Sequence, residues 1–295
     1  MSAIGRDGAT STEAASDSGP TETDRPPRHD EATGALLEVR DLQVAFDGFR
    51  AIDGLDFSVE RGEARFLIGP NGAGKTTLVD CVTGLTRAEA GSVRFAGQDV
   101  VGRREHEIVR MGIGRTFQTP SVFEELSVLH NVDLAASFRR PMRSLMRGRG
   151  TVDASVYEAL EAVGLSSVMD DPARTLSHGQ KQWLEIGMVL VQEPQLLLLD
   201  EPVAGMTREE RTLTGELIQR ITETRTVVVI EHDMDFVRRF ASRVTVMHEG
   251  RVLTEGTVAE VQDDPRVEEV YLGRARDARG AAPAVAGEEG PGERP

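Results

Sequence analysis

An eight-residue segment with fixed glycine spacing, GPNGAGKT at residues 69–76, limits most strongly what this chain can fold into. It matches the pattern G-x-x-x-x-G-K-[ST] and follows an apolar segment, residues 64–68, typical of a strand. Glycines let successive backbone N–H groups point at phosphate oxygens, and the following helix adds its positive N-terminus. Lys75 would bring a compact charge to those phosphates, and Thr76 a hydroxyl for Mg²⁺. An ordinary glycine turn before a helix is the alternative interpretation.

The composition is that of a globular chain with one large domain or two smaller ones. Its 295 residues carry a net charge of −15, which argues against an electrostatic nucleic-acid binder, so we expect no nucleic-acid partner. A single cysteine, Cys81, excludes an intramolecular disulfide framework and favours a reducing compartment. No apolar stretch approaches the ~18 residues that cross a bilayer, and the N-terminus lacks a secretory layout.

Local patterns divide the chain into a structured body and two polar ends. Residues 1–34 and 274–295 have few large apolar side chains and are predicted to be disordered tails, the first of them acidic. Within the body, residues 36–273, apolar strands alternate with helices, which predicts a parallel sheet buried on both faces. Strands are predicted at residues 37–46, 57–59, 64–68, 92–95, 196–199, 227–230 and 244–247, and helices from near Lys75 and at 105–111, 180–191, 208–222 and 234–240. A helix-rich block at about 119–178, broken by an Arg-rich loop at 139–149, is predicted to be an inserted subdomain.

Two of the predicted strands end in acidic residues. Asp200 and Glu201 follow four leucines, and ligands of nucleotide-binding sheets gather at such strand ends. Asp200 would hold hydrated Mg²⁺, while Glu201 would polarise the attacking water. After the strand at 227–230, His232 would donate a hydrogen bond to a terminal phosphate. Each signal alone is weak, and a solvated loop or a surface histidine is the alternative.

The segment LSHGQ at residues 176–180, here called the signature segment, precedes another predicted helix. Ser177 is a typical N-cap residue, and a capped helix with exposed N–H groups is also an anion site. Structural capping and phosphate binding would therefore share one geometry.

Taken in chain order, these motifs resemble those of the ATP-binding cassette (ABC) ATPases over essentially all of residues 36–273. The resemblance implies an α/β P-loop NTPase core with a mixed sheet, an antiparallel β subdomain and an inserted α-helical subdomain. It implies ATP and Mg²⁺ as cofactors. It also implies a head-to-tail dimer with a second ABC ATPase subunit, in which Ser177 and Gly179 face the ATP of the partner. The chain would lie at the cytoplasmic face of the membrane, bound to integral permease subunits and served indirectly by an extracytoplasmic solute-binding protein.

The resemblance also assigns roles residue by residue. Phe46 would stack on adenine, although core packing is an equal alternative, and Gln118 would contact Mg²⁺ and the water. The implied catalytic residues are Glu201, His232 and Gln118, and the implied metal ligands are Thr76, Gln118 and Asp200. The implied nucleotide-binding residues are Phe46, Gly69, Pro70, Asn71, Gly72, Ala73, Gly74, Lys75, Thr76, Thr77, Ser177, Gly179 and Gln180.

Departures from the usual motifs narrow the resemblance to one branch. His178 stands where glycine is usual and would have to point away from phosphate, and no aspartate follows Glu201 in residues 202–206. The segments at 115–123, 176–188 and 200–206 resemble the ATPase subunit of urea importers, within the branched-chain amino acid group. They predict an ATPase that powers uptake of urea or a related small amide. A branched-chain amino acid importer and a soluble, non-transport ABC ATPase are the alternatives.

Overall fold

The computed structural model describes residues 34–139 and 152–270. The predicted tail at 274–295, residues 1–33 of the other tail and nearly all of the Arg-rich loop lie outside the described residues. Ten strands lie in the described ranges: β1 Ala35–Phe46, β2 Phe49–Glu60, β3 Ala64–Ile68, β4 Ala90–Phe95, β5 Gln98–Asp99, β6 Ile113–Arg115, β7 Leu196–Asp200, β8 Thr226–Ile230, β9 Arg243–His248 and β10 Arg251–Gly256. The α-helices with both ends there are α1 Lys75–Thr83, α2 Glu105–Met111, α3 Val128–Ala136, α4 Ala154–Ala162, α5 His178–Leu190, α6 Arg208–Thr222, α7 Met234–Phe240 and α8 Val258–Gln262.

The strands form two sheets, one antiparallel and one mixed. The antiparallel sheet has the order β2-β1-β4-β5, and the mixed sheet has the order β10-β9-β3-β8-β7-β6. In the mixed sheet only the β9–β10 pair is antiparallel. This arrangement confirms the predicted fold class, a mixed sheet accompanied by an antiparallel one.

The hairpin between β1 and β2 sets the end of the antiparallel sheet. Asp47 and Gly48 have φ of +49° and +86°, which suits a two-residue turn between twisted strands. The turn pairs Phe46 with Phe49 at the hairpin tip. The prediction placed the second strand only at residues 57–59, because Asp53, Gly54 and Asp56 interrupt the apolar pattern, and it was therefore too short.

Register in the mixed sheet brings three strand ends to one edge. Leu67 of β3 pairs with Ile230 of β8, which in turn pairs with Asp200 of β7. The segments that follow β3, β7 and β8 therefore leave the sheet side by side. Because the strands are parallel, this edge carries their carboxyl ends, where ligands of such sheets bind.

The mixed sheet is buried on both faces, as its continuous apolar strands predicted. Leu197, Leu199, Val227 and Val229 pack in a core with the helices α3–α7. Leu196, Leu198, Val228 and Ile230 pack in a second core with α1 and the antiparallel sheet. The helices α3 and α4 of the predicted insertion pack on α5. In the described ranges, no helix combines the length and apolar character needed to cross a membrane.

Candidate functional site

A cleft of about 570 Å³ lies at the edge where β3, β7 and β8 end. One wall is aromatic, from the tip of the β1–β2 hairpin, and the opposite end is polar. Its lining contains Phe46, Phe49, Ala51, Asn71, Gly72, Ala73, Gly74, Lys75, Thr76, Thr77, Gln118, Glu201, Ile230 and His232. The cleft thus joins residues that are up to 186 positions apart in the sequence.

The phosphate loop, residues 69–76, forms the floor of the cleft between β3 and α1. Gly74 has φ of +98°, and a Cβ there would lie 2.7 Å from the carbonyl oxygen of Ala51, so only glycine fits. Lys75 is buried, and its Nζ donates to the carbonyl oxygens of Gly69 at 2.7 Å and Pro70 at 3.2 Å. The ammonium group is therefore held inside the loop, beside the N-terminus of α1, where an anion is favoured.

Glu201 lies at the polar end of the cleft in an uncommon backbone conformation. Its φ is +49°, a region that costs a residue other than glycine of order 1–3 kcal/mol. Its Oε2 accepts a hydrogen bond from Gln118 Nε2 at 2.7 Å, and its Oε1 lies 3.2 Å from His232 Nδ1. These contacts bring the three predicted catalytic side chains together on one carboxylate.

Asp200, one residue earlier, is not part of the cleft lining, and its carboxylate takes part in an ionic network. Arg115 donates to Asp200 Oδ2 at 3.1 Å and to Asp80 Oδ1 at 2.6 Å. Burial raises the pKa of Asp200, and the Arg115 guanidinium opposes that rise. Both sides of the Arg115–Asp200 bridge are buried, and Arg115 links the end of β7 to Asp80 on α1.

Glu231 ties the segment after Glu201 to the segment that carries His232. Its carboxylate accepts from the backbone N–H of Val203 at 3.2 Å, His232 at 3.1 Å and Asp233 at 3.4 Å. Burial raises the pKa of Glu231 to about 6, against the lowering effect of these N–H donors. No local motif assigned a role to Glu231, although its position at the end of a buried strand parallels that of Asp200.

The signature segment begins α5 and does not line the cleft. Ser177 Oγ accepts from the N–H of Gln180 at 3.2 Å, and the Gln180 side chain accepts from the N–H of Ser177, a capping box. Ser177 also donates to Glu210 Oε1 at 2.9 Å, and a Cβ on Gly179 would lie 2.6 Å from the same oxygen. The Thr207 N–H and the Ser177 hydroxyl lower the pKa of Glu210. The predicted anion site at this helix end therefore has a carboxylate of its own chain beside it.

His178 is the first residue of α5, directly after the Ser177 cap. Its Nε2 lies 3.2 Å from the carbonyl oxygen of Ala204, and its ring packs beside Gly205. The imidazole thus contacts the segment after Glu201, where the usual aspartate is missing.

The helix α5 also carries a buried carboxylate, Glu185, that the sequence analysis did not identify. Its Oε1 accepts from the N–H of Phe117 at 3.4 Å and of Ser121 at 3.2 Å, on either side of Gln118. Burial raises the pKa of Glu185 to about 7, although these two N–H donors lower it. A glutamate between the fully buried Leu184 and Ile186 was the available sequence signal.

The raised pKa of Glu185 predicts a pH dependence of stability. The folded state binds its proton more tightly than the unfolded chain, whose pKa is near 4.5. The contribution of protonated Glu185 to the free energy of unfolding is therefore complete below about pH 4.5 and is lost as pH rises through about 7. We expect this group to lower the free energy of unfolding by about 3 kcal/mol between pH 5 and pH 8. Urea unfolding should show a smaller decrease for Glu185→Gln; an equal decrease in both proteins would contradict the prediction.

Models of known protein families match this chain. The family model described as "ABC transporter" matches residues 52–204, just over half of the chain, and includes the phosphate loop, Gln118, the signature segment and Glu201. The chain belongs to the ABC transporter family. A second model, "Branched-chain amino acid ATP-binding cassette transporter", matches residues 251–277. The chain is accordingly an ATP-binding and ATP-hydrolysing subunit of the branched-chain amino acid transporter group.

Individual relatives agree with this placement. The high-affinity branched-chain amino acid transport ATP-binding protein BraF of Pseudomonas aeruginosa is 35% identical over 81% of this chain and 98% of its own length. The probable branched-chain amino acid transport ATP-binding protein LivG of Archaeoglobus fulgidus is 33% identical over 81% of this chain and 95% of its own length. A crystal structure of an ATP-binding cassette of an ABC transporter, in its ADP conformation, has a TM-score of 0.71. That structure is 32% identical, and the match covers 82% of this chain and all of the other.

Proposed function

We propose that this ABC ATPase powers the import of branched-chain amino acids. The observation that carries the proposal is the match to transport ATP-binding proteins of that group along 95–98% of their length. The sequence segments favoured urea, with branched-chain amino acids as the alternative, and the known relatives support the alternative better. The transport experiment described below also tests uptake of urea.

Hydrolysis would depend mainly on positioning and on charge neutralisation, as phosphoryl transfer generally does. Phe46 would stack on adenine, supported by its 48% exposed ring on the cleft wall. The phosphate loop N–H groups and Lys75 would bind the phosphates. Glu201 would accept a proton from the attacking water, supported by the contacts of Gln118 and His232 that orient its carboxylate.

Mg²⁺ fits the donor set available around the cleft. In the described ranges, no three His, Cys, Asp or Glu side chains form a cluster that would hold a metal ion by themselves. Magnesium in nucleotide sites needs few protein ligands, because substrate phosphates and water complete its octahedron. Thr76, Gln118 and Asp200 would hold it through a hydroxyl, an amide and a carboxylate. When bound, it would neutralise charge on the phosphates.

Pairing with a second ABC ATPase subunit would complete each site. Ser177 and Gly179 would then face the ATP held by the partner, supported by the capped N-terminus of α5 and by its absence from this chain's own cleft lining. The exposed rings of Phe117 and Phe123, near Gln118, would form part of the surface that meets the permease subunits. The chain would thus act at the cytoplasmic face of the membrane, served indirectly by an extracytoplasmic solute-binding protein.

Transport by the assembled complex tests the proposed solute. The chain is co-purified with its permease subunits and partner ATPase, reconstituted in liposomes, and supplied with the solute-binding protein and labelled leucine or urea. We expect ATP-dependent leucine uptake with ATPase activity stimulated by leucine. Uptake of urea but not leucine would overturn the proposed solute and support the sequence-based prediction of urea instead. ATPase activity without uptake of any solute would favour the soluble alternative.

A further inference from the structure

Glu185 is a buried carboxylate that the proposed hydrolysis does not use. It is 4% exposed, on the inner face of α5. Its Oε1 accepts the N–H of Phe117 and of Ser121, which bracket Gln118. Its Oε2 is buried without a hydrogen-bond partner in the part of the chain that the structure describes.

Burying a carboxylate costs free energy, so packing alone does not explain why a glutamate occupies this position. A carboxylate transferred from water to a protein interior loses hydration that two N–H donors replace only in part. Val189, one turn further along the same face of α5, is a buried apolar residue, so an apolar side chain would suit position 185 better. The carboxylate oxygens of Glu185 therefore act by accepting hydrogen bonds from the segment that they contact.

That segment is the connection between β6 and α3, here called the Gln118 loop, residues 116–127. It contains no helix or named strand before α3, and the N–H groups of Phe117 and Ser121 find their acceptor in Glu185. Glu185 accepts at both sides of Gln118 and anchors the loop to a 13-residue helix. Gln118 in turn donates to Glu201 at 2.7 Å.

We propose that Glu185 is a positioning residue for ATP hydrolysis: it holds the Gln118 loop on α5 so that Gln118 reaches the Glu201 carboxylate. The inference rests on the proposed roles of Gln118 and Glu201. It assigns Glu185 no contact with ATP. Nucleotide affinity should therefore be independent of Glu185, while the rate of hydrolysis depends on it.

The test is a double-mutant cycle on the full-length chain in its assembled transporter. We expect Glu185→Ala to lower kcat about tenfold or more, because small displacements of a positioning group cost rate steeply, with KM for ATP within about twofold. Glu185→Gln keeps an oxygen acceptor at the same reach, so it should retain kcat within about threefold of the parent. Gln118→Ala combined with Glu185→Ala should be no slower than Gln118→Ala alone, because both changes remove the same effect.

A control on the same helix separates positioning from general stability. Trp183 Nε1 donates to Thr214 at 2.8 Å, away from the Gln118 loop, so Trp183→Phe removes one α5 hydrogen bond elsewhere. We expect its kcat to match the parent. If Glu185→Ala does not fold, Glu185→Asp, which withdraws the carboxylate by one methylene, replaces it in the cycle.

The outcomes are distinguishable from failure of the proposed function. If Gln118→Ala lowers kcat but Glu185→Ala does not, or if the two losses multiply, the role of Glu185 is wrong. If Glu185→Gln is as slow as Glu185→Ala, the acceptor argument is wrong as well. If Gln118→Ala leaves kcat unchanged, the proposed role of Gln118 itself fails, and the positioning role of Glu185 fails with it.

Discussion

Replacing Lys75 with alanine should remove ATP binding from this protein. Lys75 Nζ lies inside the phosphate loop, where it donates to the carbonyl oxygens of Gly69 and Pro70. Facing a triphosphate, the same ammonium would form charge-assisted hydrogen bonds worth about 1.5–3 kcal/mol each. Two such bonds predict a loss of at least about a hundredfold in affinity. Equilibrium titration with a fluorescent ATP analogue measures it.

The other lysine of the chain supplies the matched control. Lysine occurs only at positions 75 and 181, and Lys181 pairs with Glu124 at 2.6 Å, outside the cleft. Lys181→Ala makes the same change in charge, so nucleotide affinity should stay within about twofold of the parent. An unchanged affinity in Lys75→Ala would exclude the phosphate loop as the ATP site.

Glu201→Gln should stop hydrolysis while leaving ATP bound. The amide keeps the size of the side chain and still meets Gln118 and His232, but it cannot accept a proton from water. Loss of a general base costs about 10²–10⁴ in rate. We expect a turnover at least about a hundredfold below the parent, with ATP affinity within about threefold. The variant should also accumulate as an ATP-bound dimer, visible by size-exclusion chromatography with multi-angle light scattering.

A glutamate in the same backbone conformation provides the comparison. Glu193 has φ of +48°, against +49° for Glu201, and is exposed in the turn before β7. Glu193→Gln therefore repeats the substitution and its backbone strain outside the cleft, and turnover should be unchanged. Hydrolysis at the parent rate by Glu201→Gln would show that another group activates the water.

Short-range patterns predicted most of the elements in this fold. The helices at 105–111, 208–222 and 234–240 and the strand at 64–68 have the predicted bounds. Periodicity and capping residues determine such elements within a few turns of chain. β5 and β10 were missed, because a two-residue strand and a strand with partly exposed side chains carry little local signal.

Site residues also differ in whether a short stretch of sequence was enough to predict them. The phosphate loop, Asp200, Glu201 and His232 follow apolar strands and were predicted from local motifs. Arg115 meets Asp200 across 85 positions of sequence, and Glu185 meets Ser121 across 64, so neither partner was identifiable locally.

The sequence by itself determined the phosphate loop, because glycine spacing, a preceding strand and a following helix constrain one continuous stretch of backbone. Tertiary structure alone decided which carboxylate meets which partner. Sheet register aligns the ends of β3, β7 and β8, and burial then selects Glu231 and Glu185 to bind the loops that carry His232 and Gln118. The physical reason is that hydrogen bonds and desolvation act over a few ångströms of space, whatever the separation along the chain.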